Sequence, residues 1–323
     1  MTENILEIQD LTVKYHTDDK VIHAVNGVTL AVKQGEVIGL VGETGAGKTT
    51  IARSILRILQ TPPAKFEGGR IIFQGQNIME LSEKEMRKIR GNKIAMIFQD
   101  PMTALNPIER IGYQIAEAIG LHNDVTRSEA EKRACDMLEM VGIPMTRYKE
   151  FPHQFSGGMK QRVVIAMALA CKPLLLLADE PTTALDVTIQ AQVLEMMLEL
   201  KDRLGTSVIL ITHDLGVVAD SCDSVAVVYA GEIVEHGTAE HIFNHPTHPY
   251  TIGLFGSLPK LNSTERRLKP IKGLMPDPTN LPKGCKFCTR CPEATDKCAE
   301  RSPDTIEIAP GHFIKCFLAG VND

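Results

Sequence analysis

The hydrophobic positions along the chain are not spread evenly. Unbroken apolar, β-branched runs occur at Glu36 to Gly42, Lys93 to Gln99, Leu174 to Asp179, Ser207 to Thr212 and Ser224 to Val228. A strand with one wet face alternates apolar and polar residues, so runs without alternation predict strands buried on both faces of a mostly parallel sheet. The stretches between them are long enough for helices, and that succession predicts an α/β fold. From about 100 to 170 no comparable strand run occurs. There Ser128 to Val141 and Gly158 to Ala170 are rich in helix formers, which predicts a helical subdomain inserted into the sheet domain. No wholly apolar block, Leu174 to Ala178 among them, approaches the roughly 18 to 20 residues that cross a bilayer, so any membrane role is expected to be peripheral.

Composition narrows this picture. A chain of 323 residues, 43% hydrophobic and 23% charged, can build one large domain or two smaller ones. Its 35 Lys and Arg against 40 Asp and Glu give a net charge of -5, with a pI near 6.1, so no general attraction to nucleic acid or acidic lipid is expected. The opening MTENILEIQD has no basic region followed by an apolar stretch, which argues against a secretory signal and for the cytoplasm. Toward the end the composition changes: Pro259, Pro270, Pro276, Pro278 and Pro282 predict an irregular connection, with a boundary near 255 to 262.

Two stretches carry phosphate chemistry. Gly42-Glu43-Thr44-Gly45-Ala46-Gly47-Lys48-Thr49 fits G-x-x-x-x-G-K-[ST], directly after the strand-like VIGLV and before the helix-compatible IARSILRIL. Glycines there let backbone N–H groups converge on phosphate oxygens; Lys48 is expected to reach the β and γ phosphates of ATP, and Thr49 to offer its hydroxyl to Mg²⁺. The run Leu174 to Ala178 ends in Asp179 and Glu180. With a phosphate loop upstream, Asp179 is expected to hold Mg²⁺ through water and Glu180 to orient or deprotonate the attacking water.

Between these lies Phe155-Ser156-Gly157-Gly158-Met159-Lys160-Gln161-Arg162, about twenty residues before the second motif. It resembles the LSGGQ signature of the ABC ATPase family, with Phe155 in place of Leu and Met159 in place of Gln. The resemblance runs over roughly residues 4 to 250. It implies an ABC-type P-loop core with a mostly parallel sheet, an antiparallel β subdomain, the helical insertion and a small Cys-rich C-terminal domain, divided as 1–255 and 256–323. It also implies roles for single residues. Gln99 in IFQDP matches the Q-loop, near Mg²⁺ and the catalytic centre. Thr183-Ala184-Leu185-Asp186 matches the D-loop, His213 the switch histidine that contacts the γ-phosphate, and Tyr15 the aromatic ring that stacks on adenine. Thr44, Gly45, Ala46, Gly47 and Thr50 belong with the nucleotide contacts. Ser156, Gly157, Gly158 and Asp186 would complete the ATP site of a second subunit. Each motif occurs once, so the chain is expected to hold one ATPase core and to need a second ABC ATPase, a copy or a related chain.

Further text is similar to the oligopeptide, dipeptide and nickel import subfamily: His245-Pro246-Thr247-His248-Pro249-Tyr250-Thr251 followed by Leu258-Pro259, and Asp100-Pro101-Met102-Thr103-Ala104-Leu105-Asn106-Pro107 after Gln99. That likeness implies an importer of di- or oligopeptides or, in the alternative, of nickel. Its partners would be two transmembrane permease subunits and, indirectly, an extracytoplasmic substrate-binding protein, with no nucleic acid; its place would be the cytoplasmic face of the membrane. A rival reading is a soluble ABC ATPase of DNA repair or translation, but the coiled-coil insertions or tandem cores usual there are absent. His245 and His248 read as a Pro-rich turn or as metal ligands.

The tail holds Cys285, Cys288, Cys291, Cys298 and Cys316. Their crowding suits a metal site; four thiolates serve either Zn²⁺ or a [4Fe-4S] cluster, and disulfides are disfavoured in a reducing compartment. Tails of the peptide-import subfamily look like Cys-x5-Cys-x6-Cys-x17-Cys, a pattern that Cys285, Cys291, Cys298 and Cys316 match, and are linked there with an iron-sulfur cluster. Cys288 then has no assigned role. A third reading makes the cluster a redox switch with ATP as its regulator.

Overall fold

The structure, a computed structural model, describes residues 3–183, 185–256 and 271–318, with backbone only at 101 and 102. In chain order the strands are β1 (Asn4–His16), β2 (Val21–Lys33), β3 (Val37–Val41), β4 (Ala64–Phe73), β5 (Gln76–Asn77), β6 (Ile94–Ile97), β7 (Leu175–Asp179), β8 (Ser207–Ile211), β9 (Ser224–Tyr229), β10 (Glu232–Thr238), β11 (Ile306–Ala309) and β12 (His312–Ile314). The helices are α1 (Lys48–Ile55), α2 (Glu83–Ile89), α3 (Pro101–Ala104), α4 (Ile111–His122), α5 (Arg127–Met140), α6 (Gly157–Leu169), α7 (Val187–Leu204), α8 (Leu215–Ser221), α9 (Ala239–Asn244), α10 (Pro249–Gly256) and α11 (Asp296–Glu300). The unbroken apolar runs become β3, β6, β7, β8 and β9, each trimmed by a residue or two or, in β9, extended by one.

The chain divides into two compact units. One is built mainly from Glu80–Ile211. In it β6, β7 and β8 pair in parallel, with Met96 opposite Leu177 and Leu177 opposite Ile209. Every residue of β7 and β8 is buried, which is why neither strand shows a two-residue period in the sequence. The helical insertion is present as α3 to α6. Thr126 opens α5 and Ser156 opens α6, each hydroxyl accepting a backbone N–H from the first turn of its helix.

The other unit comprises Leu6–Ala31, Ile38–Met79 and the chain from Thr212 onward. It contains an antiparallel sheet in the order β2-β1-β4-β5 and a second set in the order β11-β12-β10-β9-β3, where β3 and β9 are parallel and the rest antiparallel. The antiparallel sheet is the β subdomain that the family resemblance implied. The tail is stitched to this unit through β12, whose Ile314 stands opposite Glu235 of β10. The expected boundary near 255 to 262, with Leu258, Pro259 and Pro270, lies mostly outside the described residues.

His245 to Thr251 forms a turn into α10. Glu235, with 1% of its surface exposed, accepts the N–H groups of Thr247 (2.8 Å) and His248 (3.1 Å) and bonds His312 Nε2 at 2.9 Å. One buried carboxylate therefore ties the Pro-rich turn to the tail, and each of its partners offsets the cost of burying it. His245 is exposed and His248 is buried, so the two imidazoles stand in different surroundings and the turn is the reading that fits.

Leu177 is wholly buried at the centre of the β6-β7-β8 set. Leu177→Ala is expected to lower the unfolding free energy by about 2 to 5 kcal/mol through lost burial and the cavity left behind. Urea titration followed by circular dichroism reads this, and a loss under about 1 kcal/mol would mean that the strand is not packed as described.

Candidate functional site

The phosphate loop follows β3, whose five residues are all buried. Gly42 (φ 148°) and Gly47 (φ 105°) take backbone angles that side chains rarely adopt. A Cβ on Gly42 would stand 2.1 Å from the Val228 carbonyl oxygen, and one on Gly47 2.4 Å from that of Ala24. The loop is thus pressed against backbone at two points. Lys48, 7% exposed, hooks back so that its Nζ donates to the carbonyls of Gly42 (2.7 Å) and Glu43 (3.0 Å). Ala46 accepts from the Gly231 N–H at 2.8 Å. Thr44 and Gly45 are exposed, Thr49 and Thr50 half-buried, and Gly47 gives α1 no side-chain cap. The N-cap position of α1 thus carries no side chain, and a helix start of this kind can receive an anion. Tyr15 Oη lies 3.2 Å from Thr50 Oγ1, which brings the expected adenine-stacking ring to the same helix. His213 is exposed in the loop before α8, where Asp214 accepts the N–H groups of Gly216 and Val217.

The other unit carries the carboxylates. Asp179, 2% exposed, ends β7. Glu180 sits at φ 49°, a sparsely populated angle for a residue with a side chain, and its N–H donates to Ile211 O at 2.8 Å. Its Oε2 accepts from Gln99 Nε2 at 2.7 Å and from Thr183 Oγ1 at 3.0 Å. Gln99 and Glu180, 81 positions apart in sequence, are joined by this hydrogen bond. Of the D-loop, Asp186 accepts the Ile189 N–H at 3.1 Å and caps α7, while Ala184 lies outside the described residues.

The signature stretch lies in this same unit. Ser156 Oγ accepts the Met159 N–H at 3.3 Å, and Ser156 and Gly157 are exposed. A Cβ on Gly158 would meet Ile189 Cγ2 at 2.6 Å. The two departures from the family pattern share one neighbour: the Arg147 guanidinium lies 4.3 Å from the Phe155 ring centre and 3.3 Å from Met159 Sδ, and it donates to Gln154 O at 3.0 Å.

In the tail, Cys285, Cys288, Cys291, Cys298 and Cys316 line one recess together with His248 and Phe287. Burial pushes the Cys285 thiol up to about 11, with the neighbouring Cys288, Cys298 and Cys316 adding to it, and raises Cys288 and Cys291 as well. Burial also lowers His248 to about 4, so its ring is neutral. Its Nδ1 accepts the Tyr250 N–H at 3.0 Å, which leaves the proton on Nε2, and that buried nitrogen has no hydrogen-bond partner among the described residues. Among those residues no group of three or more His, Cys, Asp or Glu side chains stands close enough to hold a single metal ion.

The tail also reaches the phosphate loop, which the sequence reading missed. Arg290 Nη1 donates to both carboxylate oxygens of Glu43 (3.1 and 3.0 Å), and the Glu43 N–H donates to Tyr250 Oη at 2.9 Å. Burial works against the Arg290 charge, yet the hydrogen bonds to Glu43 and Tyr229 hold its pKa above the usual value. Arg147, Arg290 and Tyr250 carry no local signal of these roles, since their partners are remote in sequence or lie beside a motif rather than in it.

Comparison with known proteins bears on the same residues. A family model described as ABC transporter matches residues 25–183, and one described as the C-terminal region of oligopeptide/dipeptide transporters matches 234–298. The chain is 51% identical to a probable peptide ABC transporter ATP-binding protein of Sinorhizobium fredii, over 97% of this chain and 94% of that one. It is 50% identical to an oligopeptide transport ATP-binding protein of Bacillus subtilis, over 97% and 88% of the two chains. Among solved structures it is similar to a dimeric ATP-binding cassette bound to ADP and phosphate, with a TM-score of 0.65 and 28% identity over 72% of this chain and 98% of that one.

Because a methyl group on Gly47 has nowhere to go, Gly47→Ala is expected to weaken ATP binding by at least about tenfold while most of the fold survives. Equilibrium binding of a fluorescent ATP analogue checks it; affinity equal to the parent's would show that the loop does not need its observed curvature.

Proposed function

The chain belongs to the family of ABC transporter ATP-binding proteins and is an ATPase, and from that premise we propose that it powers the import of di- or oligopeptides across the cytoplasmic membrane. The observation that carries the hydrolytic half is Glu180, aimed by Gln99 and Thr183 at the end of the buried strand β7. On this reading the N–H groups of Gly45 to Thr49 hold the triphosphate and Lys48 meets its β and γ phosphates. Thr49, Asp179 and Gln99 would hold Mg²⁺, whose charge would offset that of the phosphate oxygens. Glu180 orients the attacking water and takes its proton, His213 contacts the γ-phosphate, and Tyr15 stacks on adenine. Ser156, Gly157, Gly158 and Asp186 face the nucleotide of a second ATPase, a copy or a related chain.

Peptide as the cargo is supported by the match of 234–298 to the oligopeptide/dipeptide transporter C-terminal region and by the peptide-transport relatives. The same support disfavours nickel and the soluble repair or translation readings. No helix among the described residues is long and apolar enough to cross a membrane. On this reading the permease subunits are separate chains, and Ile108, Leu121 and Met145 are exposed apolar side chains of the helical insertion that they could cover. The subunit would then sit on the cytoplasmic face, with a substrate-binding protein acting on the far side.

For the tail, the donor set fits a bound group. Five thiols and an orphaned, buried Nε2–H converge on one recess, and a sulfur-rich acceptor would satisfy that hydrogen. We assign Cys285, Cys291, Cys298 and Cys316 as the four thiolates of a [4Fe-4S] cluster, in preference to Zn²⁺. When bound, the charge of its iron would offset the burial that raises the Cys285 and Cys291 thiols. Purified anaerobically, the chain is expected to carry about four iron atoms and about four acid-labile sulfides, and Cys291→Ser to lose them; one zinc per chain in their place would overturn the assignment.

Glu180→Gln is expected to retain ATP binding but to lose steady-state hydrolysis by at least about a hundredfold, and cells relying on it to lose uptake of a labelled dipeptide. Undiminished turnover would remove Glu180 from its role. Lost turnover with unchanged dipeptide uptake would remove peptide import.

A further inference from the structure

The phosphate loop contains an acid. Glu43 directly follows Gly42, in a loop proposed to hold the most highly charged part of ATP. An uncompensated carboxylate there would repel the triphosphate, and at a few ångströms in a partly desolvated site that repulsion amounts to a substantial loss of affinity. Glu43 is not uncompensated. Arg290, 247 residues further along, presents a side chain only 5% exposed and places Nη1 at 3.1 and 3.0 Å from the two carboxylate oxygens.

Arg290 is itself fixed from several sides. Its Nε donates to Lys272 O at 3.1 Å and its Nη1 also to Tyr229 Oη at 3.3 Å. Its position in the chain, between Cys288 and Cys291, is held by a turn in which the N–H groups of Arg290 and Cys291 both donate to Phe287 O, at 2.9 and 3.0 Å. The same segment touches the loop again at Met275, whose terminal methyl would lie 3.2 Å from a Cβ on Gly45. The Glu43 side chain is 30% exposed, so the pairing is anchored from the arginine's side, where the guanidinium is fixed rather than swinging in water.

We infer that Arg290 is a positioning residue for ATP: it cancels the Glu43 charge and holds the loop backbone, so that the cysteine-rich segment supplies part of the nucleotide site's electrostatics. The inference rests on the proposal that the loop binds ATP. It explains why an acid is tolerated beside the phosphates, and it makes nucleotide affinity depend on a correctly folded tail. Release of the Phe287 to Cys291 turn would withdraw the guanidinium and leave Glu43 bare.

The test is a charge cycle read by calorimetric titration with the magnesium complex of a non-hydrolysable ATP analogue. Arg290→Gln is expected to weaken binding by about five- to tenfold, the loss appearing in the KM for ATP rather than in kcat. Glu43→Gln alone is expected to bind as tightly as the parent or more tightly, since the cation then has no acid to cancel. Glu43→Gln combined with Arg290→Gln is expected to return to within about twofold of the parent. A purely structural clamp would instead be damaged from either side, so a weakened Glu43→Gln, or a double variant no better than Arg290→Gln, overturns the inference. Glu43→Gln keeps the question decidable if Arg290→Gln does not fold. Lys48→Ala serves as the reference: if it binds as tightly as the parent, the nucleotide site itself is misassigned, whereas its loss of binding beside an unaffected Arg290→Gln refutes only the role of Arg290.

Discussion

The phosphate loop can form only where the chain carries no side chain at two points, and the rest of its unit is arranged around that requirement. The Val228 carbonyl at Gly42 and the Ala24 carbonyl at Gly47 occupy the places where a Cβ would stand. Such close backbone approach bends the loop so that its own carbonyls turn inward, where Lys48 Nζ takes those of Gly42 and Glu43. Hydrogen bonds from Gly231 to Ala46 and from Glu43 to Tyr250 hold the outside of the curve. The curve of the loop is thus fixed by neighbouring backbone together with the Lys48 ammonium and the Tyr250 hydroxyl.

Two acids illustrate how the surroundings decide what a carboxylate does. Glu180 is oriented by an amide and a hydroxyl, from Gln99 and Thr183, donors that aim the group without cancelling a charge. Its positive φ stores strain that the Glu180 to Ile211 hydrogen bond helps to offset. Glu43 instead meets a guanidinium, which cancels the charge outright. A base needs the first kind of environment; an acid beside a phosphate loop needs the second.

What could be read in the sequence was what is local. β7 and β8 are buried on both faces, so their apolar runs stood out, and the motif spacings located Lys48, Glu180, Gln99 and the signature stretch. β1 and β2 were not located from pattern. In β1 the pairing register shifts between Gln9 and Thr12, where Asp10 has a φ of 51°, and a bulge of that kind breaks the two-residue period on which recognition depends. β11 and β12 are too short for any period, and β12 is placed by Glu235, which bonds His312 across 77 residues. The Arg290–Glu43 pair spans 247 residues, and no spacing rule reaches that far.

The signature stretch shows why a motif can vary at its ends and still keep its geometry. The elements proposed to face a phosphate are the Ser156 hydroxyl, the two glycines and the N-terminus of α6, and these are intact: Ser156 caps the helix, and Gly158 lets Ile189 of α7 approach closely. Phe155 and Met159 replace the usual Leu and Gln, and Arg147 holds both, its guanidinium over the ring and against the sulfur, while Glu150 fixes the arginine with a carboxylate oxygen at 2.6 Å. An aromatic face and a polarizable sulfur both suit a cation, so the exchange at the two ends fits one arginine rather than two separate lapses. The ends of the motif are thus held by an arginine outside it, which also takes the Gln154 carbonyl just before the turn.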